Sequence, residues 1–228
     1  MWMLALACAF FLAIHLMISA TALKDRVIGK IGGNAYYVLF ALLSCFGLVW
    51  MGVAFGIALD DPMNVVLWSS GLFLRIIGMI GNVFAFLLVV LGYTSPSPTN
   101  MVALWRMPDH PVSGVIRITR HPVLAGIGLW ALTHIICNGN LAAWIFFGSL
   151  LALCALGANT IDRKRVLLMG EVYEKIKRRT SIVPFVAILE GRVAFDAREI
   201  GIVRPMLALS MFSVFLVLHE LIFTVRAV

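Results

Sequence analysis

His15, His134 and His219 each stand inside an apolar stretch of this chain. An ionisable side chain at membrane depth is costly, so its presence there points to a partner or a function. Imidazole is also the commonest protein ligand for metals and haem iron. Iron held between two such rings needs them on facing helices at nearly one depth. Arg75, Asn82 and Glu220 complete the polar set within apolar segments. Arg75 reads either as the partner of a buried carboxylate, such as a haem propionate, or as half of an ion pair with Asp60, Asp61 or Glu220.

A second constellation precedes His134: Arg117-Ile118-Thr119-Arg120-His121-Pro122. Arg120 and His121 at a helix start suit an anion or a cofactor. Proline in the first turn and arginine at an interface are equally ordinary features of a membrane helix start. Thr119 is placed to cap that helix. Trp130 lies one turn before His134 on the same face, and Gly126 one turn before that. A small residue there lets a helix or a flat cofactor approach closely.

The elements that must position these groups are membrane spans. Hydrophobic residues make up 62% of the 228 positions, and mean hydropathy is +1.01; a soluble domain is nearer ~45–50% apolar. Crossing a hydrocarbon core of ~30 Å takes about 20 apolar residues. Six segments meet or approach that length: 2–22, 35–59, 65–91, 122–138, 140–160 and 205–225. The first lacks a basic leader and a cleavage site, and reads as a retained span. Cys137-Asn138-Gly139-Asn140 predicts a tight turn joining two helices into a hairpin.

Net charge is +7, yet the basic residues gather in alternate loops, which is a topology signal and not a nucleic-acid footprint. Lys24, Arg26 and Lys30 follow the first span, Arg106, Arg117 and Arg120 the third, and a cluster from Arg163 to Arg204 the fifth. The positive-inside rule makes those loops cytoplasmic and leaves both termini on the other side. Residues 93–111 read as a loop. Asp162 to Arg179 has helical charge spacing and either continues the fifth span or lies on the membrane, where each basic residue gains ~1 kcal/mol from anionic lipid. Cys8, Cys45, Cys137 and Cys154 are scattered and read as small buried hydrophobes.

A rise of ~1.5 Å per residue puts His15 about 13 Å, His134 about 18 Å and His219 about 22 Å from the inner ends of their helices. Helix tilt blurs these depths. Depth therefore leaves both His15–His134 and His134–His219 open as an iron-binding pair.

The chain resembles the NnrU family, which includes the plant 15-cis-zeta-carotene isomerases. The likeness runs over nearly the whole length, through His15, Arg120-His121-Pro122, Trp130-x-x-x-His134, Asn138-Gly139, Thr180-Ser181, Pro184-Phe185 and Gly191-Arg192. It implies haem b between His15 and His134, with cis-trans isomerisation of a lipophilic polyene as the precedent. It also hints at nitrite or nitric oxide respiration. Where the isomerases have an alternative cysteine ligand this chain has Ala131, so a ligand switch is not implied here.

A fainter likeness is to membrane methyltransferases that use S-adenosylmethionine. It rests on Arg120-His121-Pro122-Val123-Leu124-Ala125-Gly126, on Asp162-Arg163 and on Met169-Gly170-Glu171-Val172-Tyr173. Leu124 stands where those enzymes have tyrosine, and Asp162-Arg163 where they have two glutamates.

The expectation is a single all-α domain over 1–228: a polytopic membrane bundle of about six helices, in a bacterial inner membrane. The leading function is a haem b-binding protein, redox or isomerase-like. A methyltransferase and a non-catalytic accessory protein of a respiratory reductase are the alternatives. His15, His134, Arg75, Trp130, Arg120 and His121 are the candidate cofactor-binding residues, with His219 as the alternative metal ligand. Membrane lipid, a lipophilic substrate or a respiratory redox protein are the expected partners.

Overall fold

The computed structural model describes residues 1–18, 23–99 and 112–223, which are helical and contain no strand. The longest apolar runs form the long helices: α3 (Gly33–Leu59), α4 (Leu72–Thr94), α7 (Leu141–Met169) and α10 (Val203–Phe223). These four are long and apolar enough to cross a membrane, so the chain is an integral membrane protein. α1 (Trp2–Ala13) runs on into a π-helical turn, Ile14–Ile18. α2 (Leu23–Ile31) lies at 82° to it, and the pair counts as a fifth span if taken together. α6 (Pro122–Asn138) has 17 residues, fewer than the about 20 that a span usually takes. Length thus supports four or five of the six expected segments. The ends of the first and last segments, and Arg106 of the third loop, lie outside the described residues.

The third segment begins later than its apolar run suggests. Residues 65–71 are not helical, because their backbone groups pair with the α6–α7 turn. Leu67 and Trp68 N–H donate to Gly139 O, and Leu141 N–H donates to Val65 O. The Trp68 indole N–H adds a bond of 2.9 Å to Ile136 O. Gly139 has φ 48°, and a Cβ there would come within 2.1 Å of Trp68 O. Glycine is required on both counts. The expected hairpin is present, and the Asn140 side chain caps α7 by accepting from Ala143 N–H.

α4 and α6 pack backbone to backbone. A Cβ on Gly126 would stand 2.7 Å from Ala85 O, and Gly78, Gly81 and Gly92 of α4 are pressed as closely by Cys137, Thr133 and Val123. In lipid such close contact replaces the hydrophobic effect as the force between helices. Asn82 is accounted for within this seam, its Oδ1 2.8 Å from Thr133 Oγ1. On the other side of the bundle α1, α3 and α7 share an apolar core that includes Leu4, Phe11, Met51 and Phe147.

α7 runs on past the expected end at 160 to Met169, where Gly170, at φ 55°, turns the chain into α8 (Glu171–Arg179). The charged stretch from 162 to 179 therefore continues the fifth segment as far as Met169 and then forms a separate helix. α5 (Val115–Ile118) and α9 (Val186–Leu189) are single turns at this basic end.

Candidate functional site

His134 lies near the Asn138-Gly139 end of α6. Its Nδ1 is 2.8 Å from Trp130 O. A carbonyl only accepts, so Nδ1 carries the proton and Nε2 keeps its lone pair. That is the form a metal-bound histidine takes when its second nitrogen is held by the backbone. The ring is fixed by Trp130 at 4.8 Å and Phe147 at 4.7 Å between centroids. His219 on α10 is within electrostatic reach of His134. The helix register agrees. Phe86 of α4 packs on Phe212 and Phe215 of α10, which brings His219 level with the α4 residues that meet Thr133.

His15 has the same local device, with Nδ1 2.8 Å from Phe11 O. Its level is different. Its ring packs on Phe40 of α3 at 5.2 Å, whereas Phe147, beside His134, packs on Phe55 at 5.6 Å. Counted along α3, the two levels differ by about 22 Å at 1.5 Å per residue. α7 gives a smaller figure. Cys8 bonds Ser149 and Leu124 lies beside Gly157, which sets His15 about 14 Å from His134.

Two nitrogens on one metal stand a few ångströms apart. On these levels His219 lies nearer to His134 than His15 does. The cause is register: depths counted from uncertain helix ends hid an offset of more than two turns. Among the described residues no group of three or more His, Cys, Asp or Glu is placed to hold a bare ion. A haem asks less of the protein, since its ring supplies the equatorial ligands.

Because α4 starts at Leu72, Arg75 sits in its first turn and is exposed. It is not buried ten residues deep. It lies within electrostatic reach of Cys137, one turn beyond His134, and so belongs to the same end of the bundle as His134 and His219.

The Arg120-His121 element is built differently. Arg120 forks onto Asp162 of α7 through Nε at 3.0 Å and Nη2 at 2.7 Å. His121 Nε2 is 2.7 Å from Asp162 Oδ1, and the Tyr173 hydroxyl donates to the same oxygen at 2.6 Å. Arg120, His121 and Asp162 are 8%, 2% and 6% exposed. Burial, then the Asp162 carboxylate, push the Tyr173 phenol up, so it stays a donor.

The segment after α8 closes over this network. Arg120 N–H donates to Ser181 O and Phe185 N–H to Ile118 O. Arg192 Nη1 donates to Thr180 O at 2.6 Å. Phe185 is held at φ 66°, a left-handed conformation unusual for its type. Thr119 stands two residues before the cap position of α6, which is His121; its Oγ1 accepts from His121 N–H at 3.2 Å and donates to Ile182 O at 2.7 Å. Arg117 forks onto Glu199, each contact 2.7 Å, and that bond raises its basicity.

Arg120 and His121 are thus anchored to Asp162. A carboxylate already used by three side chains has nothing left for a soluble cofactor. The cavity beside them measures about 150 Å³ and includes Ser97, Thr99, His121 and Leu124 in its lining. Drug-sized ligands occupy about 300–1,000 Å³, so this cavity is smaller than most such sites. Sequence reasoning attached Asp162 and Tyr173 only to the methyltransferase likeness. Their structural role depends on pairings 42 and 11 residues apart in sequence, which no local spacing announces.

The fold and these two ends define a helical integral membrane protein, with imidazoles inside the bundle at one end and a sealed ionic network at the other. Its sequence matches the NnrU protein family over residues 3–227, and the chain belongs to that family. It is 44% identical over 80 residues to the chloroplastic 15-cis-zeta-carotene isomerase of Arabidopsis thaliana and 40% identical over 80 residues to that of Zea mays. Each match covers 35% of this chain and 22% of the relative, so the chain spans about a fifth of the length of these curated relatives. No solved structure matches it.

Proposed function

We propose that the chain is an isomerase-like membrane protein that holds haem b between His134 and His219 and acts on a cis double bond of a lipophilic polyene drawn from the bilayer. The family and the isomerase names of its relatives support the reaction class. The observation that supports the ligand assignment is His134, with its Nδ1–H committed to Trp130 O and His219 within electrostatic reach. Haem, when bound, would supply an iron that changes oxidation state; Lewis-acid action on a substrate would require one of the two histidines to leave it.

The protein's own contribution is positional. Trp130 and Phe147 fix the His134 ring, and the Trp130 carbonyl fixes its tautomer. Arg75, at the same end, offers a guanidinium to a propionate.

The test uses the full chain in liposomes, reconstituted with haem and given a polyene with a central cis double bond. The reading expects isomerisation followed by chromatography, lost in His134→Ala. Haem uptake without any isomerisation would leave a redox protein in its place. A preparation that takes up no haem would end the reading.

A further inference from the structure

We propose that the basic end of the bundle carries a site for the phosphate of an anionic membrane lipid, between Lys24 of α2 and Lys164 of α7, with α2 lying on the bilayer beside it. Gly32, at φ 83°, breaks the chain between α2 and α3 and folds α2 back towards the start of α3. The Lys24 ammonium then stands 5.8 Å from the ring centre of Tyr36 and 5.4 Å from that of Tyr37. These are cation–π distances, and the contact holds a flexible lysine in place. From α7, Lys164 comes within electrostatic reach of the same Lys24.

The level is that of lipid head groups. α7 starts at Leu141, and Lys164 stands about 34 Å along it at ~1.5 Å per residue. That is just past a hydrocarbon core of ~30 Å. Tyr36 and Tyr37 stand at the start of α3, and tyrosine is favoured at a membrane interface.

The charges call for an anion. α2 contributes Lys24, Arg26 and Lys30 against Asp25, and Arg163 adjoins Lys164 on α7. Asp25 is also within electrostatic reach of Lys164 and Tyr36, so one carboxylate stands among several cations. Holding Lys24 near Lys164 costs repulsion, which an anion between them removes. A phosphate diester has two unesterified oxygens and can turn one to each ammonium.

α2 indicates where that phosphate comes from. Leu23, Val27 and Ile31 recur every four residues with Ile28 beside them, while Asp25, Arg26 and Lys30 fall on the other side of the helix. No residue of α2 is buried, and Leu23 and Ile31 are each 43% exposed. The helix lies at 82° to the one before it, across the direction of a span. A helix of this kind rests in the membrane surface with its apolar side among the acyl chains. Lys24 is set within the apolar stripe, so its counter-ion must itself border hydrocarbon. A phospholipid phosphate does, being joined to the chains it heads. A soluble phosphate would leave the stripe uncovered.

The test uses the full chain in nanodiscs of phosphatidylcholine and phosphatidylglycerol, with the lipid it retains read by native mass spectrometry. The proposal expects phosphatidylglycerol to be retained in preference to phosphatidylcholine. Lys24→Gln and Lys164→Gln are each expected to bind it about five-fold more weakly, and together about thirty-fold, which is ~1 kcal/mol for each charge removed. Lys175→Gln with Arg179→Gln removes as much charge from α8 and is expected to leave retention unchanged. A melting temperature equal to the parent's in phosphatidylcholine alone shows that each variant folds. No preference for phosphatidylglycerol, full retention in both single variants, an equal loss in the α8 pair, or displacement of the lipid by millimolar inorganic phosphate overturns the proposal.

Discussion

Asp162 is where the basic end of the molecule is decided. One carboxylate takes the fork of Arg120, the ring of His121 and the hydroxyl of Tyr173. Removing one member of a buried ion pair strands the other, which typically costs about 3–5 kcal/mol. Asp162→Ala is accordingly expected to lower thermal stability by about that amount, measured as the loss of helical signal on heating. Tyr173→Phe removes one hydrogen bond to a charge and is expected to cost about 1.5–3 kcal/mol.

The phenol also gives a pH signature. Its folded-state pKa is raised by burial and by Asp162, while in the unfolded chain it is ordinary, about 10. Its contribution is fully present below about pH 10 and is lost as pH rises above it. Alkaline destabilisation measured in that range should be weaker in Tyr173→Phe. The sequence already pointed to Arg120 and His121 as a unit. It did not show what they serve, because Asp162 is one acidic residue among many charges until α7 is seen to carry it into the interior.

At the scale of elements, the α4–α6 seam and the α6–α7 hairpin hold the candidate haem end in place. Gly126 has no room for a Cβ, with Ala85 O 2.7 Å from where one would stand. Gly126→Leu is expected to force the helices apart and cost about 1–3 kcal/mol, as overpacking does; a melting temperature equal to that of the parent would contradict the seam. The hairpin was legible from Asn138-Gly139, and α7 from its apolar run. The start of α4 was not. Residues 65–71 are apolar enough for a helix, but their hydrogen bonds go to Gly139 and Leu141 instead. That pairing moves Arg75 from the middle of a span to its end, and with it the meaning of the residue.

At the scale of the molecule, the two constellations sit at opposite ends of α6 and are different in kind. One is a sealed network that fixes the fold and leaves a small cavity at His121. The other holds His134 against Trp130 and Phe147, with His219 within electrostatic reach. All three membrane histidines were legible as an unusual set, because charge inside an apolar run needs no alignment to be seen. Their pairing was not, since it depends on how helices distant in sequence slide against one another.

The haem-binding account rests on that pairing. Its most direct test is the reduced absorption spectrum of the purified, haem-reconstituted protein in three variants. His134→Ala and His219→Ala are expected each to lose the sharp bands of iron held by two histidines, while His15→Ala keeps them. Loss of those bands in His15→Ala with their retention in His219→Ala would contradict the account.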